Sequence, residues 1–235
     1  MCSGRVDLSF VLKAFSGGID GVFIGGCLLN ECNYVTHGNY HALNMVLLGK
    51  KILEHLGLNP ERLKIEFMSA AEGNHFADVM SEYGKKVKEL GPLGKAEGID
   101  ETELKSKLAE ITKLVPYIKL MKREKLAARL ERPDQYAGHF TRDEIATLLR
   151  EVVSYYIDPG KCQACTICAQ RCPAEAIISA KNQIHVIDQE KCIKCGTCLE
   201  ACPSKFSAVT KISGGPVPPP VPEEARTIVR GSKEK

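Results

Sequence analysis

The chain has 235 residues, with 32 basic and 29 acidic side chains and a formal charge of +3. That length allows one domain plus a module or two small domains, and the charge balance gives no sign of a nucleic-acid partner. No apolar run reaches the ~18 residues of a membrane span, and the opening MCSGRVDLSF lacks the basic segment, apolar core and cleavage site of a signal peptide.

Residues 1–94 read as an α/β domain with a small parallel sheet. Val6–Phe15 carries Val6, Leu8, Phe10, Val11, Leu12 and Phe15 on a helical period and stops at Gly17-Gly18. Gly21–Gly26 is a short apolar run between glycines, the pattern of a buried strand. Tyr40–Leu56 is a second helix closed by Gly57. Arg62–Ala70 alternates Leu63, Ile65 and Phe67, as a half-buried strand does. His75–Leu90 is a third helix. Alternating strands and helices argue for a parallel sheet with helices packed on it. Two strands make a poorly stable sheet, so a further strand is expected from a segment ahead of Met1 or from a partner.

Residues 95–154 are expected to be a helical connector. Asp100 with Glu103, and Thr141 with Glu144, have the spacing of helix N-caps. Leu104, Leu108, Ile111 and Val115 mark one helix, stopped or kinked at Pro116. Ile118–Leu130 marks a second, bearing Lys119, Lys122, Arg123, Lys125 and Arg129. Ile145, Leu148, Leu149, Val152 and Val153 mark a third. The basic helix is either a solvated face or a docking surface for an acidic partner.

Residues 155–212 hold eight of the eleven cysteines. DPGKCQACTICAQRCP and DQEKCIKCGTCLEACP are each C-x2-C-x2-C-x3-C-P, thirty positions apart. This is the run of bacterial two-cluster ferredoxins, in which the fourth cysteine of each run serves the other cluster. Cys162, Cys165, Cys168 and Cys202 are therefore the expected ligands of one [4Fe-4S] cluster. Cys192, Cys195, Cys198 and Cys172 are those of the second. Gly196, Ala164 and Thr166 let the backbone curl close enough for its N–H groups to reach sulfur, and Pro173 and Pro203 fix the turn after each fourth ligand. Zinc sites use separated pairs rather than such triplets, and disulfides lack a secretory context; eleven cysteines point instead to thiols kept reduced in the cytoplasm. Tyr155–Ile157, Ile177–Ser179, His185–Ile187 and Ala208–Thr210 are the expected short strands of this α+β module. Residues 213–235, rich in Pro and Gly and then charged, are expected to be extended or disordered.

Cys2, Cys27 and Cys32 remain. Cys27 ends a predicted strand, Cys32 follows in the next loop, and Cys2 precedes the first helix. Strand ends are where open α/β sheets place ligands. Three thiols at one sheet edge suggest a metal site lacking one ligand; unrelated buried or surface cysteines are the alternative. His37, His41 and His75 read as solvated or helix-surface residues rather than ligands. Glu72 and Asn74 read as helix-capping residues. The glycines of GGIDGVFIGG do not form a dinucleotide-binding G-x-G-x-x-G.

Residues 1–94 resemble the hydrogenase iron–sulfur subunit family, the delta subunit of the methyl-viologen-reducing hydrogenase. The resemblance rests on CSGR, on GC-x4-C-x-Y followed by GNY, on LG-x-x-PERL and on SA-x-EG-x-x-F. It implies a [2Fe-2S] cluster on Cys2, Cys27 and Cys32 with a ligand not seen in this sequence. It also implies electron transfer between a hydrogenase or formate dehydrogenase and the flavin subunit of heterodisulfide reductase, where flavin-based electron bifurcation occurs. Family members carry a stretch with a strand and a Cys-x-x-Cys pair ahead of CSGR. Its absence here is expected to reflect a truncated gene start, a selenocysteine codon in that pair having been read as a stop. Leu28 and Asn33 stand where the family often has histidine. The cysteine-rich half resembles the C-terminal tails of NAD-linked bifurcating hydrogenase subunits.

The expected function is that of an electron-transfer subunit, not catalytic alone, between a hydrogenase, dehydrogenase or soluble ferredoxin and a heterodisulfide-reductase-like flavoprotein. The rival expectations are a cysteine-based reductase of a disulfide or small acceptor, and an iron–sulfur redox sensor or scaffold.

Overall fold

The first helix, α1 (Leu8–Ser16), begins where the Asp7 carboxylate accepts the Ser9 N–H at 2.9 Å. Such a cap contributes about 1 kcal/mol. In the computed structural model, which describes residues 2–34 and 37–227, α1 follows a short 3-10 turn at Ser3–Arg5. Strand β1 (Val22–Gly26) comes next, then α2 (Asn39–His55), β2 (Leu63–Phe67) and α3 (Gly73–Leu90). β1 and β2 pair in parallel, with Val22 opposite Leu63 and Gly26 opposite Phe67. The α/β reading holds, and the two-stranded parallel sheet is the whole sheet of this part among the described residues.

The described residues fall into two compact units that meet at Leu148 and Leu149. The first includes most of the helical stretch expected to be a connector. Helix α4 (Glu101–Met121) is capped by Asp100, which accepts the Thr102 and Glu103 N–H groups. It packs along α1 and shares its core. Leu8, Leu12 and Phe15 are buried, as are Leu104, Leu108, Ile111 and Val115 of α4 and Met45, Leu48 and Ile52 of α2. Residues 101–121 therefore form a wall of the core.

Pro116 neither stops α4 nor separates it from a second long helix; α4 runs on to Met121, and only the short α5 (Arg123–Ala127) follows. A proline inside a helix costs about 3 kcal/mol. Burial of Val115, Tyr117 and Ile118 around it, at about 1.5–3 kcal/mol for each large apolar side chain, outweighs that cost.

The basic helix is neither simply solvated nor a free docking face. Lys119 pairs with Asp7, and Lys122 and Lys125 both pair with Glu144. Arg129 bonds Asn30 and lies over the Tyr40 ring, 4.7 Å from its centroid. The cations close the first unit on itself. For Asp7 and Glu144, burial pushes the carboxyls up, but the lysine contacts, joined at Asp7 by the hydrogen bonds from Ser9, outweigh it and hold both below their ordinary values.

Helix α6 (Arg142–Arg150) ends before Val152 and Val153, which were expected on its apolar stripe. Val153 instead opens β3 (Val153–Ile157), because its backbone pairs antiparallel with Ser213. The second unit continues through α7 (Ile167–Gln170), β4 (Ile177–Ile178), β5 (Val186–Ile187), α8 (Thr197–Ala201) and β6 (Val209–Ser213). β3 pairs with β6 and β4 with β5, both antiparallel. This is a ferredoxin-like α+β unit built from two copies of one thirty-residue pattern. Up to Thr227 the tail packs on the unit rather than trailing from it. The Ile184 N–H donates to Arg226 O at 2.7 Å. Val217, Pro218, Pro220 and Val221 line a cavity of about 30 Å³ against Tyr156, Ile157, Val186 and Ile187. The rest of the expected disordered tail, residues 228–235, lies outside the described residues.

Candidate metal centres

Each cysteine run of the second unit is entered through an aspartate turn. Asp158 Oδ1 accepts the Gly160 N–H and its carbonyl accepts the Cys162 N–H; Asp188 repeats both bonds with Glu190 and Cys192. Within each triplet the residues on either side of the middle cysteine adopt positive φ: Ala164 at 51° and Thr166 at 62° in the first, Lys194 at 59° and Gly196 at 84° in the second. Left-handed backbone is costly for non-glycine residues. Its recurrence at the same register positions in both runs shows that the curl, rather than side-chain packing, sets the local shape.

None of the eight cysteines of the runs is in a disulfide. Cys162, Cys168 and Cys198 are buried in the core of the unit, and Cys172, Cys192 and Cys202 pack against it. Burial raises the Cys168 thiol to about 11, with Cys162, Cys165 and Cys202 adding to the shift. That set joins three cysteines of the first run to the fourth of the second. Burial likewise raises Cys192, with Cys195 and Cys172 adding to the shift, and lifts Cys198 to about 12, with Cys192, Cys195 and Cys168 adding to it.

Backbone N–H groups reach three of these sulfurs: Ala176 to Cys172 at 3.3 Å, Ala208 to Cys202 at 3.3 Å and Lys194 to Cys192 at 3.4 Å. The Thr197 hydroxyl lies 3.2 Å from Cys195 Sγ. Buried thiols ringed by N–H donors are a donor set suited to iron–sulfur clusters. Among the described residues no three Cys, His, Asp or Glu side chains are arranged to hold a single metal ion; a cluster with separate iron corners spreads its thiolates more widely than one ion does.

One neighbour of this site was not read from the sequence. His185 is 1% exposed, and its Nδ1 lies 3.4 Å from Cys168 Sγ. Burial holds its imidazole below the ordinary value. The thirty-residue repeat was the available signal, since YYIDPGKC aligns with HVIDQEKC and sets His185 opposite Tyr155.

In the first unit the other three cysteines do come together at the end of the parallel pair. Cys2 caps the Ser3–Arg5 turn, its sulfur accepting the Gly4 N–H at 3.4 Å. Cys2 Sγ lies 3.6 Å from Cys32 Sγ. Cys27 follows β1 directly, and desolvation together with Cys32 and Cys2 raises its thiol. Cys32 moves the other way, lowered first by the Tyr34 N–H and then by that of Asn39 and by the two thiols. Asn39, 1% exposed, anchors the loop: its Nδ2 donates to Cys27 O at 3.0 Å and Leu28 O at 2.7 Å, and lies 3.6 Å from Cys27 Sγ. This role was not read from the sequence either, although Asn39 stands in the GNY triplet. The fit is close at Gly38, where an added Cβ would lie 2.5 Å from Cys32 Sγ and 2.3 Å from Tyr34 O.

The histidines are not part of this triad. His75 is exposed on α3; the ring centroids of His37 and His41 are 5.7 Å apart. His41 lines a cavity of about 200 Å³ with Gly4, Asp7 and Lys119. Glu72 is the residue before α3 without a side-chain cap bond. Its carboxylate instead accepts the Ser69 N–H, and Asn74 lies within the helix.

Residues 1–91 match the family described as methyl-viologen-reducing hydrogenase, delta subunit. The iron-sulfur protein of the F420-non-reducing vhu hydrogenase of Methanopyrus kandleri is 42% identical over 92 residues, 39% of this chain and 69% of that one. The chain belongs to the hydrogenase delta-subunit family. The corresponding iron-sulfur protein of the Archaeoglobus profundus F420-non-reducing hydrogenase is 46% identical over 92 residues, 39% of this chain and 66% of its own length. One component of the ferredoxin/F(420)H(2)-dependent CoB-CoM heterodisulfide reductase of Methanosarcina acetivorans is 44% identical over 94 residues, and the match spans 40% of this chain and 12% of that protein.

Within this delta-type chain, Cys2, Cys27 and Cys32 all fall in the family segment. Residues 154–207 match a 4Fe-4S dicluster domain and contain all eight cysteines of the two runs. No helix among the described residues is long and apolar enough to cross a membrane.

Proposed function

We propose that this chain is an electron-transfer subunit of a multi-subunit oxidoreductase complex and does no bond chemistry of its own. The observation that carries the reading is the pair of matching cysteine runs, packed in one core with left-handed residues on both sides of each middle cysteine, in a chain whose other unit is delta-type. Cys162, Cys165, Cys168 and Cys202 would hold one [4Fe-4S] cluster, and Cys192, Cys195, Cys198 and Cys172 the other. Cys2, Cys27 and Cys32 would hold a [2Fe-2S] cluster with a fourth ligand from outside that triad. Such clusters supply one-electron steps without bond making. The protein encloses the thiolates, shields them from water and directs N–H dipoles at sulfur.

The names of the relatives support a heterodisulfide-reductase-like partner on one side and a hydrogenase or soluble ferredoxin on the other; a flavin on the reductase side, bifurcation at it and formate dehydrogenase as a donor rest on the family resemblance alone. Cysteines outside disulfides throughout suit a reducing cytoplasm. Residues 1–94, walled by the helices that follow them up to Leu148, serve as the docking domain, 155–212 as the dicluster module and 213–235 as the tail.

Anaerobic reconstitution with iron and sulfide analysis and EPR tests this reading. The two cysteine runs should bind about eight irons between them. Cys172→Ser should impair the cluster of the second triplet, and Cys202→Ser that of the first. Fewer irons in the wild type, or loss confined to the substituted run, would refute the crossed arrangement.

A second reading draws on the closeness of Cys2 and Cys32, 3.6 Å apart, which suits a dithiol that reduces a disulfide substrate. Turnover by the isolated chain, lost in Cys32→Ser, would favour it over the relay.

A further inference from the structure

The two halves of the dicluster unit are built alike except in what they offer the cysteine sulfurs. In the second triplet Lys194 gives its N–H to Cys192, and the Thr197 hydroxyl sits beside Cys195. Thirty positions earlier stand Ala164 and Ile167; Ala164 keeps a backbone N–H, but Ile167 brings no hydroxyl. The first triplet has a different donor. His185 comes from the second half of the sequence but lies against Cys168 of the first, Nδ1 to Sγ 3.4 Å. Its repeat mate Tyr155 crosses in the opposite sense: a Cβ added to Gly196 would stand 2.7 Å from the Tyr155 hydroxyl. Each half thus presents a ring to the other half's cysteine loop, an imidazole in one case and a phenol in the other.

The tautomer follows from the chemistry. A cysteine bound to iron is a thiolate with no proton to give, so the proton of the contact sits on His185 Nδ1. That leaves Nε2 an acceptor, and it is buried with no hydrogen-bond partner. An orphaned buried acceptor is a cost to folding, and a phenylalanine would avoid it. The ring's compensating use is the N–H that it gives to sulfur.

We propose that His185 donates Nδ1–H to Cys168 and thereby raises the reduction potential of the cluster held by Cys162, Cys165, Cys168 and Cys202. The proposal rests on the electron-transfer reading above. An N–H bond to a ligating sulfur strengthens as the cluster gains negative charge, so it favours the reduced form. One electron enters the cluster and the Nδ1 proton stays on the ring.

The test is an EPR-monitored redox titration of the reconstituted full chain, as wild type, His185→Phe and Thr197→Ile, with iron counted in each. In His185→Phe one [4Fe-4S] component should fall and the other stay. Loss of one charge-assisted hydrogen bond corresponds to about tenfold in the electron's preference, or about 59 mV for a one-electron couple. Thr197→Ile should lower the other component instead. A fully loaded His185→Phe protein with both potentials unmoved, or with both moved alike, would overturn the proposal. Should that variant not assemble, pulsed EPR of reduced wild type labelled with 15N-histidine decides. A nitrogen coupling on a [4Fe-4S] signal is expected, and its absence sinks the inference. Wild-type protein that binds no [4Fe-4S] cluster would defeat the functional reading itself, a result distinct from loaded clusters that ignore His185.

Discussion

Arg62 offers the sharpest test of how the first unit is held together. It is 0% exposed and makes five hydrogen bonds. Nε and Nη2 grip the two oxygens of Glu97 at 2.6 and 3.1 Å. Nη1 reaches Asp20 O at 3.0 Å and Gly91 O at 2.9 Å, and Nη2 reaches Leu90 O at 3.1 Å. Glu97 in turn accepts the N–H groups of Asn59 and Gly94. One guanidinium therefore ties the start of β2 to the loop after α1, the end of α3 and the loop that follows it. Replacing Arg62 by Met leaves Glu97 without its counter-ion and three carbonyls without donors. Breaking a buried pair from one side costs about 3–5 kcal/mol, a large share of the roughly 5–15 kcal/mol that holds a domain folded. The chain has no tryptophan, so urea unfolding is followed by far-UV circular dichroism. Arg62→Met should lower the stability of the first unit by that amount. Arg62→Met with Glu97→Met should cost less than the sum of the two single changes, because no charge is left stranded. A single-variant loss under about 1 kcal/mol, or strict additivity in the double, would refute this reasoning.

Three further outcomes are expected. Gly38→Ala puts a Cβ 2.5 Å from Cys32 Sγ and 2.3 Å from Tyr34 O; the iron and sulfide held by Cys2, Cys27 and Cys32 should drop sharply while the [4Fe-4S] EPR signals persist, and an unchanged third cluster would contradict the packing described. Asp7 and Glu144 have folded pKa values held below 3.8 and 4.5. Their contribution to stability is therefore complete above those ordinary values and is lost as pH falls through the depressed folded ones; Tm measured from pH 7 to pH 3 should fall less steeply in Glu144→Gln, and parallel curves would refute the assignment. Truncation after Gly215 removes the Arg226 carbonyl that accepts the Ile184 N–H and uncovers the faces of Tyr156, Ile157, Val186 and Ile187; the truncated chain should unfold at lower urea in its second unit, and an unchanged midpoint would mean that the tail contributes nothing there.

The elements of the first unit were legible because their apolar periods are long. Leu8, Leu12 and Phe15, and Leu104, Leu108 and Ile111, lie four and three residues apart, and all are buried. What could not be read was which stretches share a core. The stretch expected to be a connector is a wall of that core because its stripe meets α1, and a stripe announces burial without naming its partner. Pro116 misled as to a stop for a related reason: the local rule for proline was correct, but the burial around it was larger. Val152 and Val153 misled because two β-branched residues continuing a helical stripe fit either period. Only the pairing of Val153 with Ser213, sixty residues on, decides between them.

The two cysteine sites differ in legibility for the same physical reason. In each run of the second unit the cysteine spacing is short and the curl is made by adjacent residues, so sequence distance approximates spatial distance; only the proposed crossing of Cys172 and Cys202 is long-range. Cys2, Cys27 and Cys32 come from a 3-10 turn, a strand end and a loop. Their meeting depends on Asn39 holding the Cys27 loop and on the absence of a Cβ at Gly4, where one would lie 2.1 Å from His37 O. Neither dependence has a spacing rule. Motif resemblance could point to the three cysteines, but the supporting asparagine and glycines become visible only once the fold brings residues 2–5, 27–32 and 37–39 together. His185 belongs to this second kind of information. Its partner Cys168 is seventeen residues away, and nothing in the local pattern around HVIDQEKC distinguishes a ring that merely fills the core from one that donates a hydrogen bond to sulfur.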